Sequence, residues 1–239
     1  MSRPPVTQLV LSLFPGIGLL DMAFELEGFC VVRGPDLLWG GDIKRFHPPA
    51  GKFDGVIGGP PCQKFSGLAN FAHRWKKLPE DLITEFARCV AEARPSWFLM
   101  ENVPLAPPPV VAGYHIRATL LNNRWLGEAQ DRQRRFTFGA PRAVPNFGIE
   151  VSALETAEYT RTVTASHGGG RRRMKGTIES LSVEEAARRQ GLPHAFNGES
   201  PFKRSAQLKM LAQGVPLPMG RAVARAVKRA LGLELEATV

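Results

Sequence analysis

The sequence predicts an α/β fold, an open and mainly parallel sheet with helices on both faces, joined to a small second lobe. Three observations predict it. Short apolar runs alternate with helical patterns over the first hundred residues, a tight glycine turn joins the first run to the first helix, and the alternation fades beyond Pro141.

Gln8 to Leu13 is an apolar run of strand length, and it opens into Phe14-Pro15-Gly16-Ile17-Gly18. The apolar-periodic stretch Leu19 to Glu27 follows as a helix closed by Gly28. Phe29-Cys30-Val31-Val32 reads as a brief strand, and Phe53-Asp54-Gly55-Val56-Ile57 as another that runs into Pro60-Pro61-Cys62. Leu82 to Ala93 is a helix stopped by Arg94-Pro95, and Trp97-Phe98-Leu99-Met100 is a buried strand that delivers Glu101 at its C-terminal end. In such a sheet a ligand sits outside the carboxyl ends of the strands. Pro104 to Pro109 is a proline-rich linker, and Arg135 to Gly139 forms a further strand.

From Pro141 to Leu181 only weak strand signals surround the loop His167-Gly168-Gly169-Gly170-Arg171-Arg172-Arg173. Ser182-Val183-Glu184-Glu185 has capping-box spacing and starts a helix that ends at Gly191-Leu192-Pro193. A last helix, Pro218 to Leu231, puts Val223, Ala226, Val227 and Ala230 on one face. Arg221, Arg225 and Lys228 or Arg229 fall on the other, a solvated basic row, and the helix is expected to pack back on the sheet.

The chain has 239 residues, enough for one large domain with a small appendage, and three cysteines without metal-ligand spacing. That count argues for a reduced, intracellular protein with no disulfide scaffold and no zinc site. Cys30 and Cys89 fall in apolar patterns and read as core. No run of eighteen apolar residues is present, so a membrane span is not expected. The net charge is +9, and residues 161–230 hold 14 Lys and Arg against 4 Asp and Glu while the remainder is nearly balanced. A local surplus of that kind favours a polyanionic partner.

The chemistry concentrates in Gly58-Gly59-Pro60-Pro61-Cys62-Gln63, Glu101-Asn102-Val103 and Gln130-Asp131-Arg132-Gln133-Arg134. A stiff turn displays one thiol, and later motifs supply a carboxylate and two guanidiniums. Those groups suit addition of sulfur to an electron-poor ring, with the acid and the arginine meeting the charge that develops. Cytosine is the foremost candidate. Arg132 and Arg134 are two apart and therefore share a strand face, Arg134 for the base and Arg132 behind it. The histidines His47, His73, His115 and His194 show no ligand spacing. His167 suits a base reader or a turn residue equally.

The order of these motifs resembles the cytosine-C5 DNA methyltransferase family, over most of the chain outside Pro141 to Leu181. Leu13 to Gly18 is similar to that family's cofactor loop, Gly41-Asp42-Ile43 to its adenine-contacting segment, and Pro61-Cys62-Gln63 to its nucleophile motif. Glu101-Asn102-Val103, Gln130-x-Arg132-x-Arg134 and the late motif ending Gln190-Gly191-Leu192-Pro193 follow in the family's order. The resemblance implies a Rossmann-like, S-adenosylmethionine-dependent methyltransferase that flips cytosine out of duplex DNA and releases S-adenosylhomocysteine without a metal. It implies Cys62, Glu101, Arg132 and Arg134 as catalytic residues. It implies Phe14, Gly16, Ile17, Gly18, Asp36, Asp42, Ile43, Pro60, Leu82, Gln213 and Gly214 around the cofactor, with Asp36 standing in for the family's ribose-binding acid.

DNA contacts are expected at Gln63, Ser66, Arg74, Lys76 and Lys77 of the loop after the nucleophile, and at Arg171, Arg172 and Arg173. Residues 1–140 would form the catalytic and cofactor-binding domain, 141–204 a reduced target-recognition lobe, and 205–239 a segment returning to the catalytic domain. The chain departs from the family pattern at Ser12, at Leu19 and at Ala212-Gln213-Gly214. The expected protein is a cytoplasmic monomer acting on double-stranded DNA, of a size that suits a virus or prophage. The rival readings are the same chemistry on transfer RNA and a catalytically silent DNA-binding homologue.

Overall fold

The computed structural model describes residues 7–61, 81–142, 147–152, 158–164, 181–193 and 202–233. The apolar run of the N-terminus is strand β1 (Leu9–Leu13), followed by helix α1 (Leu19–Leu26) and strand β2 (Cys30–Arg33). Two single-turn 3-10 segments, Leu37–Trp39 and Ile43–Arg45, lead to β3 (Gly55–Gly58). Next come α2 (Ile83–Ala93), β4 (Trp97–Asn102), β5 (His115–Asn122), β6 (Gln130–Asp131), β7 (Gln133–Ala140) and β8 (Thr160–Arg161). The C-terminal part contributes α3 (Val183–Arg189), α4 (Arg204–Gln213) and α5 (Leu217–Ala230).

Six strands form the central sheet in the order β2-β1-β3-β4-β7-β5, and β6 pairs separately with β8. β1 runs parallel to β2 and β3, and β3 parallel to β4, whereas β7 is antiparallel to both β4 and β5. The sheet is therefore mainly parallel as expected, and mixed only because β7 runs against the other five strands. The strand that the sequence does not announce is β5, which has few apolar neighbours: Ile116 and Leu120 remain exposed, and only Leu121 is fully covered. A strand that buries so little leaves only a faint periodic signal, and the sequence pattern predicts no strand over residues 110–122.

Alternation along each strand sends side chains to two opposite cores. Val10, Ile57, Trp97, Leu99, Phe136 and Phe138 face α1 and α5, where Leu20, Phe24, Met219, Val223 and Val227 meet them. Leu11, Leu13, Val56, Phe98 and Met100 face α2 through Ile83, Phe86, Val90 and Ala93. A third cluster joins α3 and α4 to α1: Ala186, Ala187, Leu208 and Leu211 pack with Leu19 and Ala23. Ser182 caps α3 by accepting the Glu185 N–H at 3.0 Å, the expected half of the capping box.

Two expectations are corrected. Cys30 is exposed, because β2 is an edge strand whose outer side has no partner in the sheet, while Cys89 is buried as expected. The basic row of α5 is more than a solvated face. Arg221 and Arg225 both reach Glu27 Oε1, at 2.7 and 2.9 Å, and Lys228 Nζ donates to the Glu27 carbonyl at 2.9 Å. Three cations thus gather at the C-terminal end of α1, where the helix dipole favours positive charge, and tie α5 to α1. Among the described residues no helix is long and apolar enough to cross a membrane.

Candidate active site

β1, β3 and β4 end side by side, and their C-terminal ends open into two adjoining cavities. The larger, about 320 Å³, runs from Phe14 and Gly16 past Pro60 and Pro61 to Glu101 and Arg134, with Gln213 and Gly214 along one side. The smaller, about 240 Å³, is lined by Phe14, Asp36, Leu37, Asp42, Ile43, Pro61 and Leu82. Phe14, Asp36 and Pro61 belong to both. Every residue expected around a cofactor lines one of the two cavities except Gly18, which sits just behind as the N-cap of α1 with φ of 80°.

Glu101 follows Trp97 and Leu99 on the α1 side of β4, and Arg134 precedes Phe136 and Phe138 on the same side of β7. The register pairs Glu101 with Phe136, so Arg134 lies diagonally across from the acid. Arg134 Nε meets Glu101 Oε1 at 2.8 Å, in a pair whose side chains are only 17% and 10% exposed. Burial pushes the Glu101 carboxyl above the ordinary carboxylate range, and the guanidiniums of Arg134 and Arg132 oppose that rise. A carboxyl so placed keeps its proton to higher pH than an ordinary glutamic acid. Gly59 gives it room, since a Cβ there would stand 3.0 Å from Glu101 Oε2.

Asn102, next along β4, is buried and donates from Nδ2 to the Pro60 carbonyl at 3.2 Å, while its Oδ1 accepts the Val103 N–H at 2.8 Å. It therefore fixes the Pro60-Pro61 turn against the end of β4. Cys62 itself lies outside the described residues, as do Gln63, Ser66, Arg74, Lys76, Lys77, His167, Arg171, Arg172 and Arg173. Pro61, the neighbour of Cys62 in the chain, lines both cavities.

Arg132 departs from its expected place. The ladder breaks between β6 and β7 at this residue, so the two-residue spacing to Arg134 does not carry it into the cleft. It is 1% exposed and donates from Nη2 to the carbonyls of Ala212 (2.8 Å) and Gly214 (2.9 Å), and from Nη1 to that of Val163 (3.3 Å). Gln190 shares the task through Nε2, which reaches the Leu211 and Gly214 carbonyls. The carbonyl groups at the end of α4 would otherwise be buried without donors. Arg132 shapes the wall that carries Gln213 and Gly214, and it does not line the cavity with Arg134.

Asp36 lines both cavities as expected and also serves the backbone. Its Oδ2 accepts the Gly16 N–H at 2.9 Å and its Oδ1 the Leu38 N–H at 2.7 Å, so both oxygens already serve backbone amides. Asp42 caps the next turn by accepting from Lys44 N at 3.0 Å. Arg88 of α2 supports that segment by donating to the carbonyls of Ile43 (2.7 Å) and Phe46 (3.1 Å).

The sequence reading missed Asp21. This acid is wholly buried in α1, accepts from Ser12 Oγ at 2.5 Å, and faces Arg33 Nε at 3.1 Å. Burial holds its carboxyl above the usual range, against the hydrogen bond from Ser12 and the charge of Arg33. An acid on the apolar face of an amphipathic helix is a legible signal, and Ser12 is its partner on β1. Among the described residues no group of acids, histidines and cysteines could hold a metal.

Residues 40–106 match the family model described as C-5 cytosine-specific DNA methylase. The type II methyltransferase M.FnuDI of Fusobacterium nucleatum is 32% identical over 160 residues, covering 54% of this chain and 46% of the relative. The chain thus spans about half the length of the curated relatives it matches. In three dimensions it is similar to the Entamoeba histolytica methyltransferase EhMeth, with a TM-score of 0.68 at 13% identity over 94% of this chain and 99% of that one. A putative DNA modification methyltransferase encoded within a prophage of E. coli aligns with a TM-score of 0.63 at 16% identity, over 95% and 100% of the two chains. The fold is that of these methyltransferases, and residues 40–106 are similar to the C-5 cytosine-specific DNA methylases.

Proposed function

We propose that the chain is a DNA cytosine-C5 methyltransferase that uses S-adenosylmethionine and a transient bond from Cys62 to the base. The observation that carries this reading is the Glu101–Arg134 pair, buried in the cavity that Pro61, the residue before Cys62, also lines.

The cleft suits the donor. Its two lobes together have the size of a small-molecule site. The smaller is largely apolar around Phe14, Ile43 and Leu82 and suits an adenine, and the larger leads past Gly16 and Ile17 at the start of α1 to Glu101. Amides at a helix start suit the carboxylate of the methionine end. When bound, the cofactor supplies an electrophilic methyl group.

The protein's own residues do the rest. A cytosine swung out of the duplex enters beside Glu101. The Cys62 thiolate adds to C6, Glu101 gives a proton or a hydrogen bond to the N3 and N4 edge, and Arg134 meets O2. Charge pushed into the ring is stabilised by groups already in place, and C5 becomes the nucleophile that accepts the methyl. Loss of the C5 proton to solvent water, return of the N3 proton to Glu101 and departure of the sulfur as thiolate restore the aromatic ring and the free enzyme. Double-stranded DNA is the proposed substrate and a monomer the proposed form.

Methyl transfer from labelled S-adenosylmethionine to duplex DNA and to transfer RNA, measured side by side with bisulfite sequencing of the products, tests the reading. Label at C5 of cytosine in DNA is expected. Transfer to RNA alone would reassign the substrate, and transfer to neither would leave a silent homologue.

A further inference from the structure

The turn Leu37–Trp39 has no core to fill. None of its residues is buried, Leu37 is 76% exposed and Trp39 60%. Its ordered polar ties converge on one residue of the cofactor loop. Asp36 accepts the Gly16 N–H, and Trp39 Nε1 donates to the Gly16 carbonyl at 2.8 Å. Both peptide groups of Gly16 are therefore held by the same four-residue segment.

Gly16 has a φ of 57°, a left-handed conformation open to glycine, and without such ties its flanking peptides would turn easily. The Gly16 carbonyl and the Ile17 N–H belong to one planar trans peptide and point in opposite directions. Holding the oxygen fixes the amide. Ile17 lines the larger cavity, and its N–H finds no acceptor among the described residues. The indole has a second contact: its ring meets Phe202 edge-on, with centroids 6.1 Å apart. Phe202 leads into α4, whose Met210 and Gln213 line the same cavity.

We infer that Trp39 is a positioning residue for the methyl donor. It sets the direction of the Ile17 amide toward the donor's carboxylate and ties the Gly16 loop to the segment entering α4. This inference rests on the proposed function, because it takes the larger cavity to be the site of S-adenosylmethionine.

Calorimetric titration of the full chain with S-adenosylmethionine and with S-adenosylhomocysteine, on the wild type, Trp39→Phe and Trp39→Ala, tests it. Trp39→Phe keeps a ring for Phe202 and removes the indole donor, so the dissociation constants should rise about fivefold. Trp39→Ala removes both contacts and should raise them about tenfold or more. In turnover the KM for the donor should rise in the same proportion, with kcat and the KM for DNA within about twofold. The melting temperature of the ligand-free protein should fall by no more than a few degrees, since none of the turn's residues is fully buried. Wild-type affinity in Trp39→Phe and Trp39→Ala, or a fall in kcat without a rise in donor KM, would overturn the inference while leaving the functional reading intact. A wild type that binds neither probe would overturn the functional reading, and this inference with it.

Discussion

The Glu101 carboxylate and the Arg134 guanidinium meet at 2.8 Å across β4 and β7, two neighbouring strands that run in opposite directions. The antiparallel strand is what makes the meeting possible. The C-terminal end of β4 lies beside the N-terminal end of β7, so an acid at one and a base at the other share the mouth of the sheet. Burial drives Glu101 toward its protonated form, and Arg134 draws it back toward the carboxylate.

That balance predicts a pH dependence. The Glu101 carboxyl titrates above its unfolded value, so its proton-donating form persists to higher pH than an ordinary glutamic acid. In the proposed mechanism kcat/KM should decline as pH rises through the raised value. The same group contributes stability that is complete below the unfolded carboxyl's pKa and is lost as pH rises through the folded one. Glu101→Gln should remove the alkaline limb of the rate profile and flatten this part of the stability profile. Arg134→Met should move the limb to higher pH and lower kcat about 100-fold or more, by removing a preorganised donor. pH–rate profiles of the three proteins, with the alkaline limb unmoved in Arg134→Met as the contrary result, decide the matter.

Gly59→Ala should impair turnover without unfolding the chain. The added Cβ would stand 3.0 Å from Glu101 Oε2, so the carboxyl must shift by a few tenths of an ångström in its pair with Arg134. Small displacements of a reacting group are costly, and kcat is expected to fall about tenfold or more. A wild-type melting curve beside the slower rate would locate the effect at the acid. Wild-type kcat would show that Glu101 tolerates the crowding.

Arg132→Lys separates a wall-building role from a base-handling one. One ammonium cannot reach the three carbonyls of Val163, Ala212 and Gly214 that the guanidinium spans. Stability should fall by about 1–3 kcal/mol as buried carbonyls lose their donor. Affinity for S-adenosylmethionine should fall with it, since Gln213 and Gly214 line the cleft. Denaturant unfolding and calorimetry check both expectations. Undiminished donor affinity with a collapsed kcat would return Arg132 to the reacting base.

Much of the fold was legible because the strands that carry the site are apolar on both faces. Val10 to Leu13, Val56-Ile57 and Trp97 to Met100 are buried from both sides and stand out as runs, and each ends at a chemically telling residue. β5 and α4 were not legible, for a shared reason. Little of either is buried, Leu121 in one and Leu208, Leu211 and Ala212 in the other, so no period rises above the polar background.

At the site, Glu101 and Arg134 could be read because strand alternation carries both to one face. Arg132 was misread by the same rule, because the ladder breaks beside it and alternation no longer applies. Asp36 lies in the cleft where it is expected, but its bonds to the amides of Gly16 and Leu38 are not announced by its spacing. Nothing in the spacing announces the Trp39 bond to Gly16, which joins residues 23 apart through a side-chain donor.

The central claim is that the sulfur of Cys62 bonds to C6 of the target cytosine. Duplex DNA carrying 5-fluorocytosine blocks the final loss from C5, so a methylated adduct should accumulate on the enzyme. With S-adenosylmethionine present, a complex that survives denaturing electrophoresis is predicted for the wild type and none for Cys62→Ala. A covalent complex that persists in Cys62→Ala, or a wild type that methylates DNA yet forms none, would contradict the account.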